Sequence, residues 1–261
     1  MNAPARTADL VVDAYAPSAV RHRTVDVEGV RVFYREAGPA DAPTVLLLHG
    51  FPSSSHMFRN LIPQLAERYH VVAPDFPGFG LTQVPSGFRY TFDNLARVVD
   101  GFTQAIGLSR YAIYVFDYGA PVGWRLAMAH PGRISAIVTQ NGNGYEEGLG
   151  EGPWAPVKAY WDNPDQAHRR ELHAIVSDEM TQWQYLDGVP DPTRVAPDGY
   201  LLDQYFLSRP GQLDIQMDLF LDYASNVALY PALQAYFRAH RPPLLAVWGR
   251  NDTIFIPPGA E

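Results

Sequence analysis

The sequence predicts an α/β fold: a mostly parallel sheet covered by helices on both faces. Three observations predict it. Short runs of β-branched and Leu residues alternate with stretches of helical periodicity. Each core run is continuously apolar rather than alternating, the pattern of strands buried on both faces. The strand pattern breaks near Asn141 and returns at Leu244–Trp248, so a helical insertion is expected between two sheet segments.

Residues 1–22 read as an N-terminal arm. Arg23–Val27 and Val30–Tyr34 flank Glu28-Gly29 and read as a hairpin. Thr44–Leu48 is a buried strand ending at His49-Gly50-Phe51-Pro52. Ser53 or Ser54 can cap the helix that follows, with Met57, Phe58, Leu61, Ile62 and Leu65 at helical spacing. Val71–Ala73 is a short strand ending in Asp75-Phe76-Pro77-Gly78-Phe79-Gly80. Thr91–Ile106 is helical by periodicity. Tyr111–Phe116 is a strand, and the helix after it carries Pro121 in its first turn and stops at Pro131-Gly132. Ile134–Val138 is a further strand. In the insertion, Leu213, Met217, Phe220, Leu221 and Ala224 form one helical face and Asp214, Asp218 and Asp222 the opposite one. The organisation expected is an arm over 1–22, a core over 23–142, a helical cap over 143–236 and a second core segment over 237–261.

Composition narrows the function. Of the 261 residues, 47% are hydrophobic and 18% charged, which supports a sizeable core. A net charge of −8 argues against a nucleic-acid partner, since phosphate binding needs surplus Lys and Arg. The absence of Cys excludes disulfides, thiolate metal sites and a Cys nucleophile. No His pair has ligand spacing, so neither a metal nor another cofactor is expected. The first residues lack a signal-peptide apolar stretch, and no run approaches the ~20 apolar residues of a membrane span. The expectation is a soluble, cytoplasmic protein.

The chemistry centres on Asp117. It lies in Tyr114-Val115-Phe116-Asp117-Tyr118-Gly119-Ala120, an apolar strand breaking sharply into a helix. A nucleophile elbow is built this way, with the side chain on the tight turn pushed out over the sheet edge. A carboxylate there suits displacement at an alkyl carbon, and it is ionised at neutral pH by its ordinary pKa. Asp is also a good N-cap, so a capping role competes. The backbone N–H groups of Phe51 and Tyr118 are candidates for an oxyanion hole. His49 reads as structural. Asp252, in Trp248-Gly249-Arg250-Asn251-Asp252, reads either as an Asx turn or as the carboxylate orienting a catalytic His. Eight of the fifteen Tyr lie in the insertion, where a phenol can donate to a leaving oxygen.

His49-Gly50-Phe51-Pro52, Asp75-Phe76-Pro77-Gly78-Phe79-Gly80, the elbow at Asp117 and Gly249-Arg250-Asn251-Asp252 together resemble the α/β-hydrolase superfamily, within it the Asp-nucleophile branch of epoxide hydrolases and haloalkane dehalogenases. The resemblance spans about residues 23–261. It implies a two-step mechanism: Asp117 attacks carbon to form an alkyl ester, and a His-activated water hydrolyses that ester. Asp252 would be the His partner, with Phe51 and Tyr118 supplying the oxyanion hole. Tyr118 stands where dehalogenases carry a halide-holding Trp. Tyr223 resembles one of the cap tyrosines that epoxide hydrolases place on the epoxide oxygen, and Tyr160 is the candidate for the other. The function implied is an epoxide hydrolase-like hydrolase of a small hydrophobic substrate. A haloalkane dehalogenase and a non-catalytic binding member are the alternatives. The family's His follows a further helix and strand, with a last helix beyond; none of the eight His (His22, His49, His56, His70, His130, His168, His173, His240) follows Asp252. The expectation from the resemblance is a chain lacking that last helix–strand–helix, which reacts once with substrate.

Overall fold

A computed structural model describes residues 19–261. Most of the expected arm, residues 1–18, lies outside the described residues, and Arg21 and His22 belong to the first strand rather than to an arm. Strands β1 (Arg21–Val27) and β2 (Val30–Ala37) form the hairpin, with Val27 opposite Val30. Glu28 and Gly29 turn it, both at positive φ (48° and 85°), the twist that matches the flanking strands.

The remaining strands are β3 (Thr44–Leu48), β4 (His70–Pro74), β5 (Tyr111–Phe116), β6 (Ile134–Gln140) and β7 (Leu244–Val247). They complete a sheet of order β1-β2-β4-β3-β5-β6-β7. β2 runs antiparallel to β4, and the strands from β4 to β7 are parallel. Leu46, Leu47 and Leu48 of β3 and Val71, Val72 and Ala73 of β4 are fully buried, as the unbroken apolar runs require. The chain leaves β3 for β4 on one side and returns to β5 on the other. That reversal opens a crevice at the carboxyl ends of β3 and β5, where ligands bind in such sheets.

Helices cover both faces. Leu47, Val71 and Ala73 pack on Phe58 and Ile62 on one side. Leu46, Val72, Ile113 and Val115 pack on the other against α2 (Phe92–Ala105) and α3 (Gly119–Ala129). Thr91 caps α2 by accepting from Asn94 N–H at 3.2 Å. The helix expected from Met57 is instead a 3-10 turn, Ser55–Phe58, followed by a short α1 (Leu61–Leu65). One continuous helix would place Pro63, which has no N–H, in its interior.

Every element assigned between η3 (Glu146–Gly148), a short 3-10 turn, and β7 is helical: α4 (Glu151–Asp162), α5 (Gln166–Glu171), α6 (Asp178–Leu186), α7 (Asp198–Leu207), α8 (Gln212–Asp222) and α9 (Ala224–His240), with short 3-10 turns between. The helical run passes the expected end at 236 and stops where Arg241 turns left-handed (φ 44°) before Pro242. Met217 and Phe220 of α8 are buried, and Asp214 and Asp218 face solvent with Arg169. Asp222 departs from the exposed face expected for it: its carboxylate accepts from the Phe92 N–H at 2.7 Å, tying α8 to the start of α2. At the far edge of the sheet, Leu244, Leu245 and Val247 of β7 are exposed. No helix among the described residues is long and apolar enough to cross a membrane.

Candidate active site

Asp117 sits between β5 and α3 at φ 50°, in the left-handed region where a side chain is strained. Close packing holds it there. A Cβ on Gly119 would lie 2.1 Å from the Leu48 carbonyl oxygen, and one on Gly50 would lie 2.3 Å from Asp117 Cβ. Only hydrogen fits at either position.

The pairing of β3 with β5 sets the loop after Leu48 beside this turn. The Phe51 N–H donates to Asp117 Oδ1 at 2.7 Å, and the Tyr118 N–H donates to the same oxygen at 2.6 Å. Among the described residues no donor reaches Oδ2, so one oxygen is anchored and the other is available. Asp117 is half-buried, and the surface that it exposes faces two cavities. Burial accordingly pushes its carboxyl up to about 7, against the pull of the two amides, and the Asp252 charge adds to the rise. This corrects the expectation of full ionisation at neutral pH, which took the carboxylate at its solvent value.

Asp117 lies where two cavities meet. The first, about 420 Å³, is mostly apolar: Phe51 and Tyr118 contribute from the sheet side, and Trp154, Val157, Leu172 and Phe220 from the insertion. The second, about 500 Å³, shares Phe51 and Asp117 and adds Asp252. Asp252 Oδ1 accepts from the N–H groups of Ile254 at 2.8 Å and Phe255 at 3.0 Å, which is Asx-turn geometry. Its Oδ2 accepts from Asn141 Nδ2. The turn and the position beside Asp117 coexist.

Asn141 escaped the sequence reading. It follows β6 at φ 47°, accepts from Gly249 N–H at 3.2 Å and so fixes the loop that carries Asp252. The Asn141-Gly142 pair directly after an apolar strand was the available signal.

Neither Tyr223 nor Tyr160 lines the first cavity. Tyr223 is clamped by aromatic rings, stacked on Trp161 at 6.2 Å and on Phe255 at 6.4 Å, and its hydroxyl faces that of Tyr230. Tyr230 in turn accepts from Asn143 Nδ2 at 3.2 Å. The Tyr160 hydroxyl accepts from Arg169 Nη1 at 3.1 Å, within the ion-pair cluster of Asp214 and Asp218. Tyr118, in contrast, is a wall of the cavity.

His49 is structural here. Its Nε2 accepts from Phe76 N–H at 3.0 Å, its ring stacks on Phe76, and burial pushes it down to about 4, so it stays neutral. Among the described residues no histidine lines either cavity, and no His/Asp/Glu cluster is arranged to hold a metal ion.

The alpha/beta hydrolase fold family matches residues 43–261. An uncharacterized hydrolase of Saccharomyces cerevisiae is 49% identical over 92% of this chain and 84% of its own length. Haloalkane dehalogenase 2 of Mycobacterium bovis is 38% identical, over 46% of this chain and 41% of its own length. The match therefore spans less than half of that relative. Epoxide hydrolase 2 of Caenorhabditis elegans is 24% identical over 92% of this chain and 69% of its own length.

Proposed function

The chain belongs to the α/β-hydrolase fold family and is a hydrolase; on that premise we propose that it acts on a small hydrophobic substrate through an alkyl ester on Asp117, as an epoxide hydrolase-like enzyme. The observation that carries this reading is the convergence of the Phe51 and Tyr118 amides on Asp117 Oδ1. Oδ2 attacks carbon, and Oδ1 becomes the ester carbonyl oxygen, already in its hydrogen bonds. When water attacks the ester, negative charge develops on Oδ1, and the same two donors stabilise it. One such donor is worth about 10²–10³-fold in rate. Asp252, on the adjoining cavity, takes the part of the carboxylate that orients the general base of this second step. Tyr223 and Tyr160 support the wall rather than touch substrate, Tyr223 by packing on Tyr118 with ring centres 5.9 Å apart. The apolar lining favours a substrate with little charge.

The preference for epoxides rests on the indoles. Trp124, Trp154, Trp161 and Trp248 each donate to a backbone carbonyl, at 3.0, 2.8, 2.7 and 2.6 Å, so none is free to hold a departing halide. A haloalkane dehalogenase-like activity is the second reading. It is favoured by Trp183, which lines both cavities, and by the likeness to the mycobacterial dehalogenase.

Incubation with epoxides and alkyl halides, digestion and mass mapping test the assignment, because the first step needs only the nucleophile. The expected adduct lies on the Asp117 peptide and vanishes in Asp117→Ala. A label on another peptide removes Asp117 from the role.

A further inference from the structure

Asp203 has no part in the site described above, yet its carboxyl is fully buried where α7 meets the sheet domain. Two hydroxyls reach it. That of Tyr185 donates to its Oδ2 at 2.6 Å, and that of Ser53 lies beside the carboxylate. Arg59, the cation that acts on it, pairs with Asp198 at 2.7 Å instead. Desolvating a carboxylate is costly, and an apolar side chain would join the helices without that cost. Each hydroxyl leads towards Asp117. Tyr185 lies on α6 next to Gln184, which lines both cavities. Ser53 closes the turn that carries Phe51. The Ser53 N–H donates to the Gly50 carbonyl at 2.9 Å, and Phe51, inside that turn, aims its own N–H at Asp117 Oδ1. One end of the turn is fixed by the contact of Gly50 with Asp117. The other end is fixed by Asp203. Without the carboxylate, the acceptor left to the Ser53 hydroxyl is the Ser54 carbonyl at 3.4 Å.

We propose that Asp203 is a positioning residue for the oxyanion hole: through Ser53 it sets the Phe51 turn, and with it the N–H that meets the charge developing on Asp117 Oδ1. The inference rests on the reading of Asp117 as nucleophile and gives the inserted helices a part in the second step. The lever is short, since Ser53 stands two residues from Phe51. Hydrogen bonds weaken steeply as they bend, so a small retreat of Ser53 is felt at the Phe51 donor. A misplacement of about 1 Å costs on the order of 10²-fold in rate. The first step is spared, because Oδ2 attacks and neither amide reaches it.

The test separates the two steps. Wild type, Ser53→Ala, Asp203→Asn, Asp203→Ala and Tyr185→Phe are labelled on Asp117 with a primary alkyl iodide, above the pH range in which Asp117 titrates. The labelling rate reports folding and nucleophile competence. Each adduct, freed of iodide, is then cleaved with hydroxylamine. The hydroxylamine nitrogen bonds to the ester carbonyl carbon and the carbonyl electron pair moves onto Oδ1. As that pair returns, the bond from this carbon to Oδ2 breaks. Oδ2 leaves with the alkyl group as an alcohol, taking a proton from nitrogen, and Asp117 becomes a hydroxamate. This step builds the charge on Oδ1 that water attack builds, and it needs no general base from the protein. Mass spectrometry times it in the native adducts and, as a reference without an oxyanion hole, in adducts unfolded in urea. Native cleavage should slow by about 10- to 10²-fold in Ser53→Ala and Asp203→Ala, up to the worth of one donor, with labelling held within about twofold. Asp203→Asn, whose amide still meets both hydroxyls, should lose less. Tyr185→Phe should cleave near the wild-type rate, and the unfolded adducts should all cleave alike. Ser53→Ala, a small change, carries the test if Asp203→Ala does not fold. Native cleavage at the wild-type rate in Ser53→Ala, or labelling and cleavage falling together, overturns the inference while leaving Asp117 in place. Wild type that carries no label on Asp117 overturns the nucleophile reading, and this inference with it.

Discussion

The Phe51 amide donates to Asp117 Oδ1 at 2.7 Å across 66 positions of sequence. The contact exists because β3 and β5 are sheet neighbours and because Gly50, next to Phe51, lets the two loops touch. Neither partner reaches the other through its own element. The sheet order makes the contact, and the absent Cβ permits it.

Gly50→Ala should therefore act on chemistry as well as stability. The new Cβ would stand 2.3 Å from Asp117 Cβ, so the loop must retreat and carry the Phe51 N–H with it. The expected cost is about 1–3 kcal/mol of stability, typical of overpacking. Hydrolysis of the Asp117 ester, the step in which charge develops on Oδ1, should slow by about 10²-fold, the worth of one displaced donor. Thermal melts and the mass-resolved decay of the adduct measure the two separately. Adduct decay at the wild-type rate would show that the Phe51 donor is dispensable.

Labelling should also be pH-dependent in a range unusual for a carboxylate. Asp117 attacks only when ionised, and burial holds its carboxyl near 7. The rate of adduct formation from an alkyl iodide should rise through pH 7 and level off above it. A carboxylate at its solvent value would instead give a flat profile across neutrality.

A second buried carboxyl makes stability pH-dependent. Asp203 is fully buried. Its Oδ2 accepts from the Tyr185 hydroxyl at 2.6 Å, and the Ser53 hydroxyl also lies beside the carboxylate. Burial pushes it up to about 6. Between its unfolded value of 3.8 and about 6, the folded chain holds this proton more tightly than the unfolded chain. The contribution is fully present below the lower value and is lost as pH rises through the upper one, on the order of a few kcal/mol in all. Asp203→Asn, which keeps the shape and cannot titrate, should flatten the fall of melting temperature across that window. Parallel melting curves for the two proteins would deny Asp203 this role.

How much of this could be read in the sequence follows the range of each interaction. The elbow was legible because strand, sharp turn and helix are encoded within a dozen consecutive residues around Asp117. The hairpin at Glu28-Gly29 was legible for the same reason. The contacts of Tyr223 and Tyr160 were not, because the face a helix turns to a cavity depends on its neighbours. Tyr223 is claimed by the ring of Trp161, and Tyr160 by the guanidinium of Arg169. The pKa of Asp117 was hidden too, since burial is a property of the assembled loops. Asp222 looked like one of a row of surface acids until α2 presented an N–H to it.

A buried guanidinium ties the inserted helices to the sheet domain. Arg125 projects from α3, and its side chain is only 11% exposed. Its Nη1 donates to Asn226 Oδ1 at 2.7 Å and to the Pro121 carbonyl at 3.2 Å, and its Nη2 donates to Ser225 Oγ at 3.1 Å. Asn226 and Ser225 open α9, so one guanidinium joins the helix after Asp117 to the helix after Tyr223. Arg125→Met keeps the apolar stem and removes the donors. Asn226, whose Nδ2 already lacks a partner among the described residues, would then have neither end satisfied. The expected cost is about 1–3 kcal/mol, that of stranding buried polar groups. The loss should be local first: faster amide exchange at the start of α9, with the central strands still protected. The clamp on Tyr223 should loosen with it, and through Tyr223 the ring of Tyr118. Uniformly faster exchange throughout the chain would show that Arg125 supports the whole fold rather than this one junction.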